Sequence, residues 1–400
     1  MNTAAALLLA ENGLALAFGV VVLLVVFLDT FETIVLPRTV TRQVRLTRMV
    51  YRATWPPLSS VVRRMKPGRR LRQSLLGAYG PLSLLLLVGV WTTGLVFGFA
   101  LVNFGLHSPL NAPEASRGFG TYLYASGVTL FTLGFGDVTP RTAGARFLSV
   151  LEAGVGIGYF AIVISYLPVM YGVFSRREVN ILLLDARAGS PPAASELLRR
   201  HGRTDGLAPN LDALTSLLKD FERWSAELLE SYISYPILSF YRSQHEQQSW
   251  LGALTTVLDT CALVRVGCPG GGDEPRQKPL AWQARLTFAL ARHVLVDLAY
   301  LLNVPPVASG PDRLPTEEWR RLRATLARAD LPLLRGADDA GGDGRAEAAL
   351  RDLRGEYEPF VAGLARFLVL NVPPWNHPEN TPDNRQTSAW DDGDKSTVHF

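Results

Sequence analysis

Apolar positions are distributed unevenly along the chain. Three long apolar runs occupy residues 13–36, 79–103 and 147–173, and beyond Ser175 the apolar residues recur at helical spacing among charged ones. Each run is long enough, at about 1.5 Å per helical residue, to cross about 30 Å of hydrocarbon. A fourth apolar run, 121–131, has helical length but is too short to span. It follows a loop containing Pro109, Pro113 and Gly118, leads into a glycine-rich string, and leaves through Pro140. Non-helical backbone at membrane depth persists only where it is buried in protein or lines a watery cavity. The pattern therefore predicts a re-entrant half-helix and loop between two spanning helices.

After Ser175 the periodicity predicts helices near 192–201, 209–232, 244–266, 279–302, 316–329 and 345–370. They are broken at Pro269-Gly-Gly-Gly272, at Pro305-Pro306 and over 336–344. Leu211, Leu214, Leu218 and Phe221 fall on one helical face and read as core. The string Leu302-Asn-Val-Pro-Pro306 recurs as Leu370-Asn-Val-Pro-Pro374, either as shared helix-stop chemistry or as a duplicated helical unit. The predicted fold is an all-α membrane protein: three transmembrane helices plus a re-entrant pore helix, followed by an all-helical cytoplasmic domain. Its expected divisions are a first span (1–36), a linker (37–78), a pore-shaped region (79–173), the helical domain (174–375) and a polar, disordered tail (376–400).

Charge fixes an expected orientation. The linker holds eleven basic residues (Arg38, Arg42, Arg45, Arg48, Arg52, Arg63, Arg64, Lys66, Arg69, Arg70, Arg72) and no acidic one. The positive-inside rule then places it in the cytoplasm, with the N-terminus and residues 106–143 outside and the chain after Ser175 inside. No Lys or Arg precedes the first apolar run, and Asp29 and Glu32 follow where a cleavage site would sit, which predicts an uncleaved helix in the cell (inner) membrane. Arg42, Arg45 and Arg48 recur every third residue as in a voltage-sensing helix, but only one span precedes them. A basic amphipathic helix on an anionic lipid leaflet fits better. Asp29 and Glu32 share a helix face and either pair with Arg38 or another arginine of the linker or act in sensing. The net charge of +4 gives no footing for nucleic acid, and the two cysteines, Cys261 and Cys268, suit a reducing compartment.

The chemistry concentrates in Thr129-Leu-Phe-Thr-Leu-Gly-Phe-Gly-Asp137. This string resembles the signature of the potassium-channel superfamily, in which a Thr-Val-Gly-Tyr-Gly-Asp type sequence follows a short pore helix. The resemblance extends over residues 79–173 and implies a prokaryotic channel with one pore loop per chain. It makes Thr132, Leu133, Gly134, Phe135 and Gly136 the selectivity filter, with K+ at the carbonyls of Thr132, Leu133, Gly134 and Phe135. The residue types have a physical reason. A potassium ion gives up its water only to oxygens that replace the hydration shell, and aligning successive carbonyls needs backbone angles that glycine supplies. Thr132 can add its hydroxyl, while Leu133 and Phe135 are expected to wedge the filter against the pore helix. Phe135 stands where the family has a tyrosine that bonds behind the filter. Thr129, Asp137 and Glu152 are assigned to filter support, with protonation of Glu152 left as a second role. Gly156 stands at the hinge position of the inner helices, alternatively a close-packing contact, and Pro168 is expected to kink the same helix. One motif per chain cannot close a ring of four, so a homotetramer follows.

These features predict a K+-selective channel subunit regulated by its cytoplasmic domain. Two other outcomes stay open: a weakly selective cation pore, or a non-conducting receptor or scaffold. No enzyme activity or cofactor is expected. The helical half carries no Gly-x-Gly-x-x-Gly after a strand, His245 and His293 read as packed or surface side chains, and the Asp338–Gly344 stretch lacks calcium-ligand spacing. The aromatic join over 235–245 is a possible ligand site. The gating stimulus and the domain's ligand are not legible.

Overall fold

The computed structural model describes residues 3–36, 45–111, 118–202, 208–243, 247–268, 277–308, 312–329, 331 and 342–378. They form two compact units: Met1–Val61 with Ala78–Gly172, and Val62–Gly77 with Val173–Phe400. Arg42, His245, the Asp338–Gly344 start and the tail beyond residue 378 lie wholly or partly outside the described residues.

In the first unit, α1 (Thr3–Thr30) closes with a π turn, Phe31–Val35, followed by α2 (Leu46–Arg64), α3 (Arg70–Gly105), α4 (Phe119–Leu130) and α5 (Ala143–Ala188). Helices α1, α3 and α5 carry the three long apolar runs and are long and apolar enough to cross a membrane; together they make this a multi-pass membrane protein. α1 and α3 cross closely because small residues line the contact, the usual device where lipid offers no hydrophobic drive. A Cβ on Gly19 would sit 2.9 Å from the Gly98 carbonyl, and one on Gly105 would sit 2.5 Å from the Leu16 nitrogen. Val26, Leu87, Trp91, Leu95, Leu130 and Tyr159 form the buried cluster where α1, α3, α4 and α5 meet. A two-residue antiparallel ladder, β1 (Leu110–Asn111) with β2 (Thr139–Pro140), pairs Leu110 with Pro140 and closes the neck of the re-entrant segment. Nothing in the hydrophobic pattern announced it.

Asp29, fully buried, ties three elements together. It accepts hydrogen bonds from Trp91 Nε1 on α3 (2.8 Å) and from Thr47 Oγ1 (2.7 Å) and N (3.1 Å) at the start of α2. Arg45 lies 3.6 Å from Asp29 and 3.3 Å from Glu32, and donates to Thr33 Oγ1 at 2.8 Å. The arginine that pairs with the two acids is thus Arg45, turned inward, and Arg48 is half-buried. Removing one member of such a buried set leaves its partners uncompensated, at a cost of about 3–5 kcal/mol. Asp29→Ala should therefore lower the thermal stability of the detergent-solubilised protein sharply, measured as Trp fluorescence against temperature, whereas Arg48→Ala should leave it nearly unchanged.

The second unit is built around α8 (Trp250–Gly267). By length and composition α8 could also span a membrane, but 83% of its most apolar window is buried inside the protein. Every residue from Trp250 to Val264 is covered, which makes α8 a core helix wrapped on all sides. Its covering elements include α6 (Ala194–His201), α7 (Leu211–Ser234), α9 (Gln277–Leu301), α11 (Gly342–Gly355) and α12 (Glu358–Leu368), with α10 (Thr316–Arg328) against α6. Asn210 and Ser249 accept from the Ala213 and Gly252 nitrogens and fix the starts of α7 and α8. The expected 345–370 helix is two helices. The chain breaks at Tyr357 (φ −132°), and Pro359 opens α12. The two Leu-Asn-Val-Pro-Pro strings also differ: Asn303 takes the left-handed conformation after α9, but Val369 does so after α12.

A charge network holds the late part of this unit. Asp259, fully buried on α8, accepts from both terminal Arg313 nitrogens (2.6 and 3.2 Å) and from the Tyr357 hydroxyl (2.5 Å). Arg313 also donates to Glu358 and to the Pro373 carbonyl, and both Arg313 and Arg354 lie over the Trp375 ring. Packing continues past the expected boundary at 375, since buried Asn376 donates to the Glu318 carbonyl at 2.9 Å.

Candidate functional site: the re-entrant loop

The end of α4 is folded onto the residues that follow it. Phe131 N donates to the Gly127 carbonyl, Thr132 N to the Thr129 carbonyl and Leu133 N to the Val128 carbonyl at 2.9–3.0 Å. From there the backbone alternates. Thr132, Gly134 and Gly136 have φ of 55°, 63° and 78°, while Leu133 and Phe135 between them are not in the left-handed region. An extended strand of uniform hand sends successive carbonyls to opposite sides; alternating the hand turns them toward one side. Glycine meets this demand without strain at 134 and 136. A β-branched threonine does not, at a cost of about 1–3 kcal/mol, and such outliers gather at functional positions.

Residues 132–137 are exposed in the single chain, including Leu133 (56%) and Phe135 (66%). The expected wedge of these two side chains against the pore helix is therefore not made within one chain. Tyr124 on α4 donates to Asp137 Oδ2 at 2.8 Å, tying the far end of the loop back to that helix. Nothing in the apolar pattern marks Tyr124, although its place on α4 ahead of the string was a usable signal.

Behind the loop, Ser126 on α4 lies within hydrogen-bond reach of the Val96 carbonyl of α3, at 2.8 Å, and of the buried Glu152 carboxyl group of α5. One side chain thus joins α4 to both α3 and α5. Four residues further along α5, Gly156 faces the C-terminal end of α4. A Cβ there would lie 2.2 Å from the Leu130 carbonyl oxygen and 3.1 Å from its carbon, whereas Gly154 and Gly158 face open space. Gly156 thus makes the close-packing contact. α5 continues unbroken through both Gly156 and Pro168. Arg45 is held by Asp29 and Glu32.

Residues 85–171 match the family model described as "Ion channel". The matched stretch runs from within α3, through α4 and the alternating loop, into α5, and supports an ion-channel domain in this part of the chain. The chain is also similar to "Uncharacterized membrane protein YdjJ" of Bacillus subtilis (strain 168), at 23% identity over 198 residues. That similarity covers 49% of this chain and 56% of the relative, so the chain spans little more than half the length of the curated relative it matches. No solved structure matches.

Proposed function

We propose that four copies of this chain surround one axis as a K+-selective pore, with the N-terminus outside and the second unit in the cytoplasm. The observation that carries this is the alternation of backbone hand at Thr132, Gly134 and Gly136 in a re-entrant loop that a single chain leaves exposed. In this assembly the carbonyls of Thr132, Leu133, Gly134 and Phe135 face the axis and replace potassium's hydration shell. The apolar side chains of Leu133 and Phe135, uncovered in one chain, pack against neighbouring copies. Anionic lipid would be met by Arg42 and Arg48 of the basic linker, with Arg45 committed to Asp29.

Regulation is assigned to the helical second unit. α5 is one uninterrupted helix from Ala143 to Ala188, and its last sixteen residues belong to that unit. A ligand of the unit can shift the open fraction by its differential affinity for the open and closed states.

Assembly is the direct test. Detergent-solubilised protein should have four times the 43.8 kDa chain mass, about 175 kDa, and the same particles in liposomes should release a K+ load that barium blocks. A monomer or dimer that conducts would contradict the single shared pore. A four-chain particle with no flux under any condition would favour the scaffold alternative.

A further inference from the structure

The inner face of α9, including Leu280, Ala284, Phe288, Ala291, Leu295 and Leu298, is buried against α7 and α8. Its outer face is unexpectedly apolar. Trp282 is 62% exposed, Leu286 39% and Tyr300 86%. Between them lie exposed Ala289 and His293 and half-buried Val296. The steps from 282 through 286, 289, 293, 296 and 300 alternate four and three residues. That is the spacing of a seam packed against another helix, because a 3.5-residue period keeps one line facing a partner. Water alone gives no reason for a tryptophan, a leucine and a tyrosine on one such line.

We infer that this seam packs against the α9 seams of other copies of the chain, running parallel to them. The occupant follows from the flanking charges. Assigning the seam to alternating d and a positions puts Arg285 and Arg292 at g and Gln283, Leu290 and Asp297 at e. Antiparallel copies would set the g-position arginines against one another. Parallel copies instead bring Arg292 beside Asp297 of the next helix, an opposite-charge pair at the positions that set partner and orientation. Within one chain Arg292 reaches Glu356 and Asp297 reaches His293, but both pairs are exposed and readily exchanged. Rotation about one pore axis keeps helices parallel where they run along that axis, and the seam requires α9 to run so. To that extent the inference rests on the four-chain pore.

Ala289→Cys places a thiol on the seam, while the native Cys261 and Cys268 stay buried. Arg320→Cys, on α10 with its side chain 68% exposed, serves as the off-seam control. In the full-length protein under mild oxidation, more than half of the Ala289→Cys chains should run as covalent dimers on a denaturing gel, against under a tenth for Arg320→Cys. Adding Arg292→Asp should reduce the Ala289→Cys link severalfold, and combining it with Asp297→Arg should restore it. Particle mass is measured on the same samples. Four-chain particles without the link overturn the seam and leave the pore assembly standing. The link in particles of another size upholds the seam and overturns the four-chain pore. Absence of both overturns both.

Discussion

Gly156→Ala should remove at least nine-tenths of the ion flux, while Gly154→Ala and Gly158→Ala should leave it within about twofold of the parent. All three substitutions add one methyl to the same helix, and only one of them meets backbone. At Gly156 the new carbon would lie 2.2 Å from the Leu130 carbonyl oxygen, an overlap that no side-chain rotation can relieve. Overpacking in a well-filled interior typically costs about 1–3 kcal/mol even when side chains can shift. Here α4 itself would have to move, and with it the Phe131–Leu133 backbone that its last carbonyls hold and that leads into Gly134 and Gly136. Flux from liposomes and particle mass, measured together, separate a displaced loop from a failed assembly. Parent-like flux from Gly156→Ala would show that the close approach of α5 to α4 does not position the filter.

Arg177→Ala should have the second largest effect, on the helical unit and on gating. The Arg177 guanidinium, at the α5 end of that unit, donates to the Tyr232 hydroxyl (2.7 Å) and to the Leu238 (3.0 Å) and Tyr241 (3.1 Å) carbonyls. It also pairs with Glu178 and lies over the Phe174 ring. Burial pushes the Tyr232 hydroxyl up in pKa although Arg177 draws it down, so the phenol stays a neutral partner. Truncation would strand a buried hydroxyl and two carbonyls, at about 3 kcal/mol or more. The expected results are faster proteolysis within 194–368 and a changed open probability with unchanged ion preference. Arg177→Lys should rescue little, because an ammonium cannot span the same fork of acceptors. If Arg177→Ala matches the parent in both measurements, this fastening plays no part in regulation.

What could be seen in the sequence depended on how local the cause was. The spans were legible because continuous apolar runs suffice to write a membrane helix. The alternating loop was legible because its backbone demand falls on residue type, as at Gly134 and Gly136. Thr132 joined them through resemblance, since its left-handed conformation is opposed by its own side chain. Features decided by tertiary contact were not legible. α8 was legible as a helix of the helical domain, but its burial on every side, despite the composition of a span, is made by the helices around it. Asp29 asked for a partner, but nothing local named Arg45, Thr47 and Trp91, up to 62 residues away. The 345–370 period ran straight across a break made at Tyr357, whose hydroxyl is committed to Asp259. Whose surface covers Leu133 and Phe135, both exposed in the single chain, was not legible, because an apolar side chain does not declare it.

Selectivity for potassium is tested most directly by a reversal potential. With four-chain particles in a planar bilayer, K+ on one side and an equal concentration of Na+ on the other, the current should reverse near the potassium limit. A permeability ratio above about thirty corresponds to roughly 2 kcal/mol of discrimination. Barium should block that current, and Gly134→Ala should abolish it. A reversal potential near zero, with current still passing, would leave a pore and contradict the potassium filter.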